Sequence, residues 1–210
     1  KAFTSQILAL ILLGITLARQ RTMSKIEARE ILTELARVPR AVGTVIRSTR
    51  PHMQQLAKKL KNASHLYFLG KKYSYPVALE GSLKVKEISY IPTETYPSGE
   101  LKHGPLALVD QAYTAFVVAP ENNLFDKAGT TIHEIKARGG AVILVTNESL
   151  KKEKLCHFAD KTIFEPKLKF NFIYPFYTVV PFQLLSYDLA LALGREIDKP
   201  RNLAKSVIVQ

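Results

Sequence analysis

The chain has 210 residues, 47% of them hydrophobic and 23% charged. That is the makeup of an ordinary globular protein, large enough to bury roughly 70% of its unfolded surface without a covalent staple. Its net charge of +12 admits a phosphorylated metabolite as partner, but the lysines are scattered in short pairs, with no basic run interleaved with aromatics, so the charge reads as solvated surface and no nucleic acid is expected.

Ile7 to Leu13 is an apolar run flanked by Lys1, Arg19 and Arg21. It lacks the small-residue cleavage site of a signal peptide and falls short of the ~18 apolar residues of a membrane span. It therefore reads as a buried helix, with no membrane as partner. The chain starts without Met, as if cut from something longer. Ser24-Lys25-Ile26-Glu27 is a capping box that should open a second helix. Ile31, Leu32, Leu35 and Val38 give that helix an apolar face. Pro39 is expected to interrupt it, and Pro51 to stand at the first position of a further helix through Leu60.

Beyond Leu60 the pattern changes. His65 to Leu69, closed by Gly70, reads as a buried strand, followed by a helix over about Pro76 to Ser89. Ala112 to Ala119 is a second strand. A helix over about Leu124 to Arg138 stops at Gly139-Gly140. Ala141 to Val145 is a third strand; a short helix near Lys152 to Ala159 leads to a fourth around Thr162 to Phe164. A long apolar helix over about Phe172 to Leu193 ends at Gly194. Strands alternating with helices, each strand apolar almost throughout, predict an α/β fold: a mainly parallel sheet between two helical layers. GxGxxG, P-loop, HExxH and CxxC motifs are all absent. Cys156 is the only cysteine, so no intrachain disulfide forms; a lone thiol fits a reducing compartment, and here it reads as a small buried residue.

Three places carry residues suited to chemistry. On the first long helix of the α/β region, Glu80, Lys84 and Glu87 are spaced by four and three and so share one face. Two carboxylates flanking an ammonium are suited to proton transfer, although the same spacing also describes a plain exposed ion-pair stripe. In Ser98-Gly99-Glu100-Leu101-Lys102-His103-Gly104-Pro105 the glycines and proline mark a turn. The turn places His103 at a loop or helix edge, where an imidazole can act as acid or base near neutral pH. His52, His65, His133 and His157 lack this context. The tail from Asp198 to Val207 follows the last helix, which Pro200 prevents from continuing. Its Lys205 is either part of a frayed terminus or an amine folded back to attack a carbonyl.

Together these segments carry a resemblance. Leu79-Glu-Gly-Ser-Leu-Lys84-Val-Lys-Glu87-Ile-Ser-Tyr90, Gly99-Glu-Leu-Lys-His103-Gly-Pro-Leu-Ala-Leu108 and Pro200-Arg-Asn-Leu-Ala-Lys205-Ser-Val207 are similar to the glucosamine-6-phosphate synthase family. The match is ordered and spans essentially the whole chain. It implies an α/β sandwich of the sugar-isomerase (SIS) type, with residues 1–50 as helices from the end of a first SIS domain and a linker, 51–195 as a second SIS domain, and 196–210 as a C-terminal tail. The family moves ammonia from glutamine to fructose 6-phosphate and isomerises the product to glucosamine 6-phosphate, as a cytoplasmic homodimer with no metal or organic cofactor.

By the same resemblance Lys205 forms a Schiff base with the open-chain ketose, Glu87 shuttles a proton between C1 and C2, and Lys84 assists it. His103, supplied across the dimer interface, opens the sugar ring. Ala204, through its backbone, and Glu80 are expected substrate contacts. Gly70-Lys71-Lys72 stands where the family often has Gly-Arg-Gly, and the end at Gln210 replaces the usual acidic residue. The glutaminase domain and most of the first SIS domain, whose Ser/Thr-rich loops bind the phosphate, lie outside this sequence, so the chain alone is expected to be inactive. Two other readings use the same residues. A SIS deaminase or deglycase would lack an upstream glutaminase domain; a non-enzymatic sugar-phosphate sensor would carry an upstream helix-turn-helix.

Overall fold

The computed structural model describes residues 2–120 and 122–203, the side chains of 122–124 excepted. Five strands form one parallel sheet: β1 (Leu66–Gly70), β2 (Thr93–Pro97), β3 (Thr114–Val118), β4 (Ala141–Asn147) and β5 (Lys161–Glu165), in the order β2-β1-β3-β4-β5. Alternate side chains feed two separate cores. Leu66 and Phe68 of β1, Phe116 and Val118 of β3, and Ile143 and Val145 of β4 point to one face; Tyr67, Leu69, Ala115, Val117, Val142 and Leu144 point to the other. Both faces being apolar is what makes these strands read as unbroken hydrophobic runs.

The first core is closed by α2 (Lys25–Leu60), α3 (Ser74–Ser89) and α6 (Tyr174–Ala192). The second is closed by α4 (Asn122–Lys136) and α5 (Lys154–Phe158). The result is the three-layer α/β sandwich with added N-terminal helices that the alternating pattern predicts. Cys156 is buried, its thiol 3.2 Å from the Leu150 carbonyl and pushed up in pKa by desolvation.

The structure departs from the sequence expectations in three places. First, α1 (Ala2–Arg19) has no fully buried residue. Phe3, Ile7, Ile11 and Ile15, one stripe at a spacing of four, pack on the first core, while Leu10, Leu13 and Leu17 are each more than half exposed. An all-round apolar helix needs cover on every side, and the described residues cover one. At 18 residues α1 is also long and apolar enough by length and composition to cross a membrane, so the expectation that it is too short does not hold. Second, α2 runs unbroken through Pro39 and Pro51. Each interior proline costs about 3 kcal/mol, offset here by burial of Ile31, Leu35, Val45, Met53 and Leu56 along the helix. The capping box at its start forms as predicted: Glu27 N–H donates to Ser24 Oγ, and Ser24 N–H to Glu27 Oε2. Third, β2 was not expected. It is an edge strand bounded by Pro92 and Pro97, and such residues mask strand character.

One buried carboxyl has a measurable consequence. Glu165, at the end of β5, is 1% exposed; its Oε2 accepts from Thr178 Oγ1 at 2.7 Å while Oε1 has no partner. Desolvation raises its pKa to about 8. The folded state therefore holds a proton that the unfolded chain gives up near pH 4.3, so stability falls as pH rises between the two values, at up to about 1.4 kcal/mol per pH unit. Denaturant melts of this chain between pH 5 and 8 are expected to show that decline, and Glu165→Gln to flatten it. An unchanged slope in the variant would refute the assignment.

Candidate functional site

Helix α3 is sorted by its packing. Val77, Ala78, Gly81, Ser82, Val85 and Ser89 face inward. At Gly81 a Cβ would lie 2.6 Å from Phe182 Cδ2, so only glycine lets α3 sit this close to α6. Ser82 and Thr93 join their hydroxyls at 2.8 Å, which ties α3 to β2. The opposite face is left for Glu80, Lys84 and Glu87, and there the structure brings all three together. Lys84 Nζ donates to Glu87 Oε2 at 2.5 Å and stands 3.9 Å from Glu80 Oε1. The three side chains are between 17% and 33% exposed. Pairs this open contribute about 0–1 kcal/mol to stability, so the fold gains little from the cluster.

Beside it lies a cleft of about 520 Å³ bounded by Phe3 of α1, Leu79, Glu80 and Leu83 of α3, and Glu94 and Thr95 of β2. Glu80 reaches this cleft, whereas Lys84 and Glu87 are not part of its wall. The volume is within the usual range for a small-molecule pocket.

Helix α3 ends in Tyr90, which takes a left-handed conformation with φ of 63°. Its hydroxyl accepts the Arg201 backbone N–H at 2.8 Å, and its ring lies under the Arg201 guanidinium at 4.2 Å and the Arg195 guanidinium at 5.4 Å. Tyr90 thus anchors the chain after α6 against the end of the helix that carries Glu87. Sequence reasoning missed this anchor. The one signal for it is an aromatic at the end of α3 with two arginines just past α6. Ala204 and Lys205 lie outside the described residues.

His103 is the last residue of a 3-10 segment, Ser98–His103, that follows β2, and it is exposed. Among the described residues its imidazole forms no hydrogen bond or ion pair, so the structure does not join it to the α3 cluster. The turn after β1 keeps the conformation that a glycine would adopt freely: Lys72 has φ of 51°. A side chain in this region costs roughly 1–2 kcal/mol, so Lys72 holds its turn against a local backbone preference.

Comparison with known proteins gives a consistent picture. The family model described as SIS domain matches residues 59–193. The chain is 42% identical over its whole length to the glutamine–fructose-6-phosphate aminotransferase (isomerizing) of Thermus thermophilus and 43% identical to that of Bacteroides thetaiotaomicron, covering 34% of each. It spans about a third of the length of these curated relatives. Among solved structures, the C-terminal domain of glucosamine-fructose-6-phosphate aminotransferase from Francisella tularensis superposes with a TM-score of 0.88 at 34% identity, covering 94% of this chain and 55% of that one.

Proposed function

The chain belongs to the SIS domain family, and from that premise we propose that it is the C-terminal isomerase part of an enzyme converting fructose 6-phosphate and glutamine to glucosamine 6-phosphate and glutamate. The observation that carries the reading is the Glu80–Lys84–Glu87 cluster with the incoming tail anchored on Tyr90 at the same end of α3.

The distances favour a shared site. Glu87 and Tyr90 are three residues apart, a rise of about 4.5 Å along the helix. Lys205 is four residues beyond the anchored Arg201, a reach of up to about 14 Å when extended. The Lys205 amine can therefore attack the ketose carbonyl at C2 while Glu87 stands near C1 and C2. Imine formation expels the C2 oxygen as water, ammonia from glutamine then displaces Lys205 from C2, and the imine that remains supplies an electron sink. Glu87 takes a proton from C1 and returns it to C2, with the Lys84 ammonium holding its carboxylate in place. Glu80 and the Ala204 backbone contact the sugar. His103 opens the hemiketal ring of the site in the other protomer of a homodimer, which fits its exposure and its lack of local partners.

In this reading residues 1–50 finish a first SIS domain and linker, 51–195 form the second SIS domain and 196–210 the catalytic tail. The open apolar face of α1 packs on the rest of that first domain, which supplies the phosphate-binding loops, and the protein works in the cytoplasm without nucleic acid or membrane. The test is chemical. Borohydride reduction of the longer protein in the presence of fructose 6-phosphate is expected to fix the sugar on the peptide containing Lys205. Modification of a different lysine, or none, would overturn the assignment.

A further inference from the structure

Two unfavourable backbone conformations stand on either side of the contact that holds the tail. Tyr90, just past the end of α3, has φ of 63°, and Asn202, in the tail, has φ of 61°. Glycine takes this region freely and asparagine tolerates it, whereas a bulky aromatic there is a genuine outlier. Glycine ends a helix at this position without strain. The tyrosine is therefore held against a local preference, and its side chain says why. Its hydroxyl accepts the Arg201 N–H at 2.8 Å, and the Arg201 and Arg195 guanidiniums lie over its ring at 4.2 and 5.4 Å. Strain of this kind persists where the surroundings over-determine it, and it gathers at functional sites.

The tail changes course directly beyond the anchor. Leu203 N–H donates to the Pro200 carbonyl at 3.4 Å, closing a four-residue turn over Pro200–Leu203. Asn202 is the third residue of that turn, a position that takes a positive φ only with Gly or Asn to fill it well. Tyr90 thus fixes where the turn stands, and Asn202 fixes the direction in which the chain leaves it. Apart from Ile197 and Pro200, residues 195–203 are exposed, so the apolar core does little to hold this stretch. Lys205 follows Asn202 by three residues.

We propose, on the reading that Lys205 forms the Schiff base, that Tyr90 and Asn202 are positioning residues for its amine. They touch neither the sugar nor the reacting atoms. They set the point and the direction from which the tail delivers the lysine to the end of α3 that carries Glu87.

The test uses the longer protein and follows steady-state turnover together with the rate of borohydride trapping of fructose 6-phosphate on the peptide containing Lys205. Tyr90→Phe keeps the ring under both guanidiniums and removes only the acceptor of the Arg201 N–H. Asn202→Val puts a β-branched residue where φ is positive, in an exposed turn outside the helices. Each is expected to lower kcat and the trapping rate together by about 10–100-fold, the scale of a misplacement of about 1 Å. KM for fructose 6-phosphate is expected to change less than about threefold, because a group that acts only in the transition state leaves substrate binding alone. Asn202→Gly takes the same φ without strain and is expected to recover most of the trapping that Asn202→Val loses. Wild-type trapping on Lys205 in both Tyr90→Phe and Asn202→Val would overturn the positioning role and leave the proposed reaction standing. A raised KM with kcat unchanged would overturn it as well, by making the two residues binding contacts. If the unsubstituted protein traps no sugar on Lys205, the reaction falls and the positioning role with it. Should Tyr90→Phe lose its fold, seen as a drop in Tm, the comparison of Val with Gly at 202 decides: equal trapping in those two would sink the idea.

Discussion

Glu87→Gln in the longer protein is expected to lower kcat by about 10²–10⁴-fold, the usual contribution of a positioned acid or base, with little change in KM for fructose 6-phosphate. Gln keeps the shape of Glu and can still accept from Lys84 Nζ, which now stands 2.5 Å from the Glu87 carboxylate. It cannot take a proton from carbon. The split between kcat and KM identifies the role: loss of a binding contact would raise KM, whereas loss of a group that acts only in the transition state lowers kcat and kcat/KM together. Thermal stability provides the control. The ion pair is 27–33% exposed, so its loss is worth about 0–1 kcal/mol, and a large drop in Tm would mean the variant reports on folding instead. A wild-type rate in a stable variant would remove Glu87 from the mechanism. The non-enzymatic sensing reading predicts no turnover in either protein, so the same assay separates the two.

How much of this was legible in the sequence depended on how local the signal was. The capping box at Ser24 and Glu27 is a four-residue pattern with one geometric outcome, and it formed. Strands β1, β3 and β4 were found because burial on both faces leaves apolar runs, while the edge strand β5 showed only as a short Thr162 to Phe164 stretch after the preceding helix. The Glu80, Lys84 and Glu87 face follows from helical spacing alone. The failures share the opposite property. The fate of Pro39 and Pro51 depends on how much α2 buries against α6, which no window of sequence contains. The exposure of α1 depends on which surfaces surround it. The anchoring of Arg201 on Tyr90 joins residues 111 positions apart. Spacing along one element was readable; juxtaposition between elements was not.

The placement of Glu87 itself depends on such a juxtaposition, and it can be tested by substitution at the seat of α3. Phe182 is fully buried; its ring meets those of Phe68 and Phe116 edge-on, with centroids 5.4 and 5.7 Å away, and it fills the space opposite Gly81. Phe182→Ala is expected to destabilise this chain by about 3–5 kcal/mol, through lost apolar burial and the cavity left among three helices and the sheet. Gly81→Ala attacks the same contact from the other side. Its Cβ would stand 2.6 Å from Phe182 Cδ2 and 2.7 Å from Cγ, and overpacking of this kind costs about 1–3 kcal/mol. The two effects should not add. With the ring removed, the alanine methyl at 81 has room, so the double variant is expected to be no less stable than Phe182→Ala alone. Denaturant melts of the four proteins measure this directly. Strict additivity would show that α3 is not held against α6 through this contact. Non-additivity would mean that the orientation of the outer face of α3, and with it the Glu80–Lys84–Glu87 cluster, is set by a glycine and an aromatic ring on the side of the helix away from the chemistry.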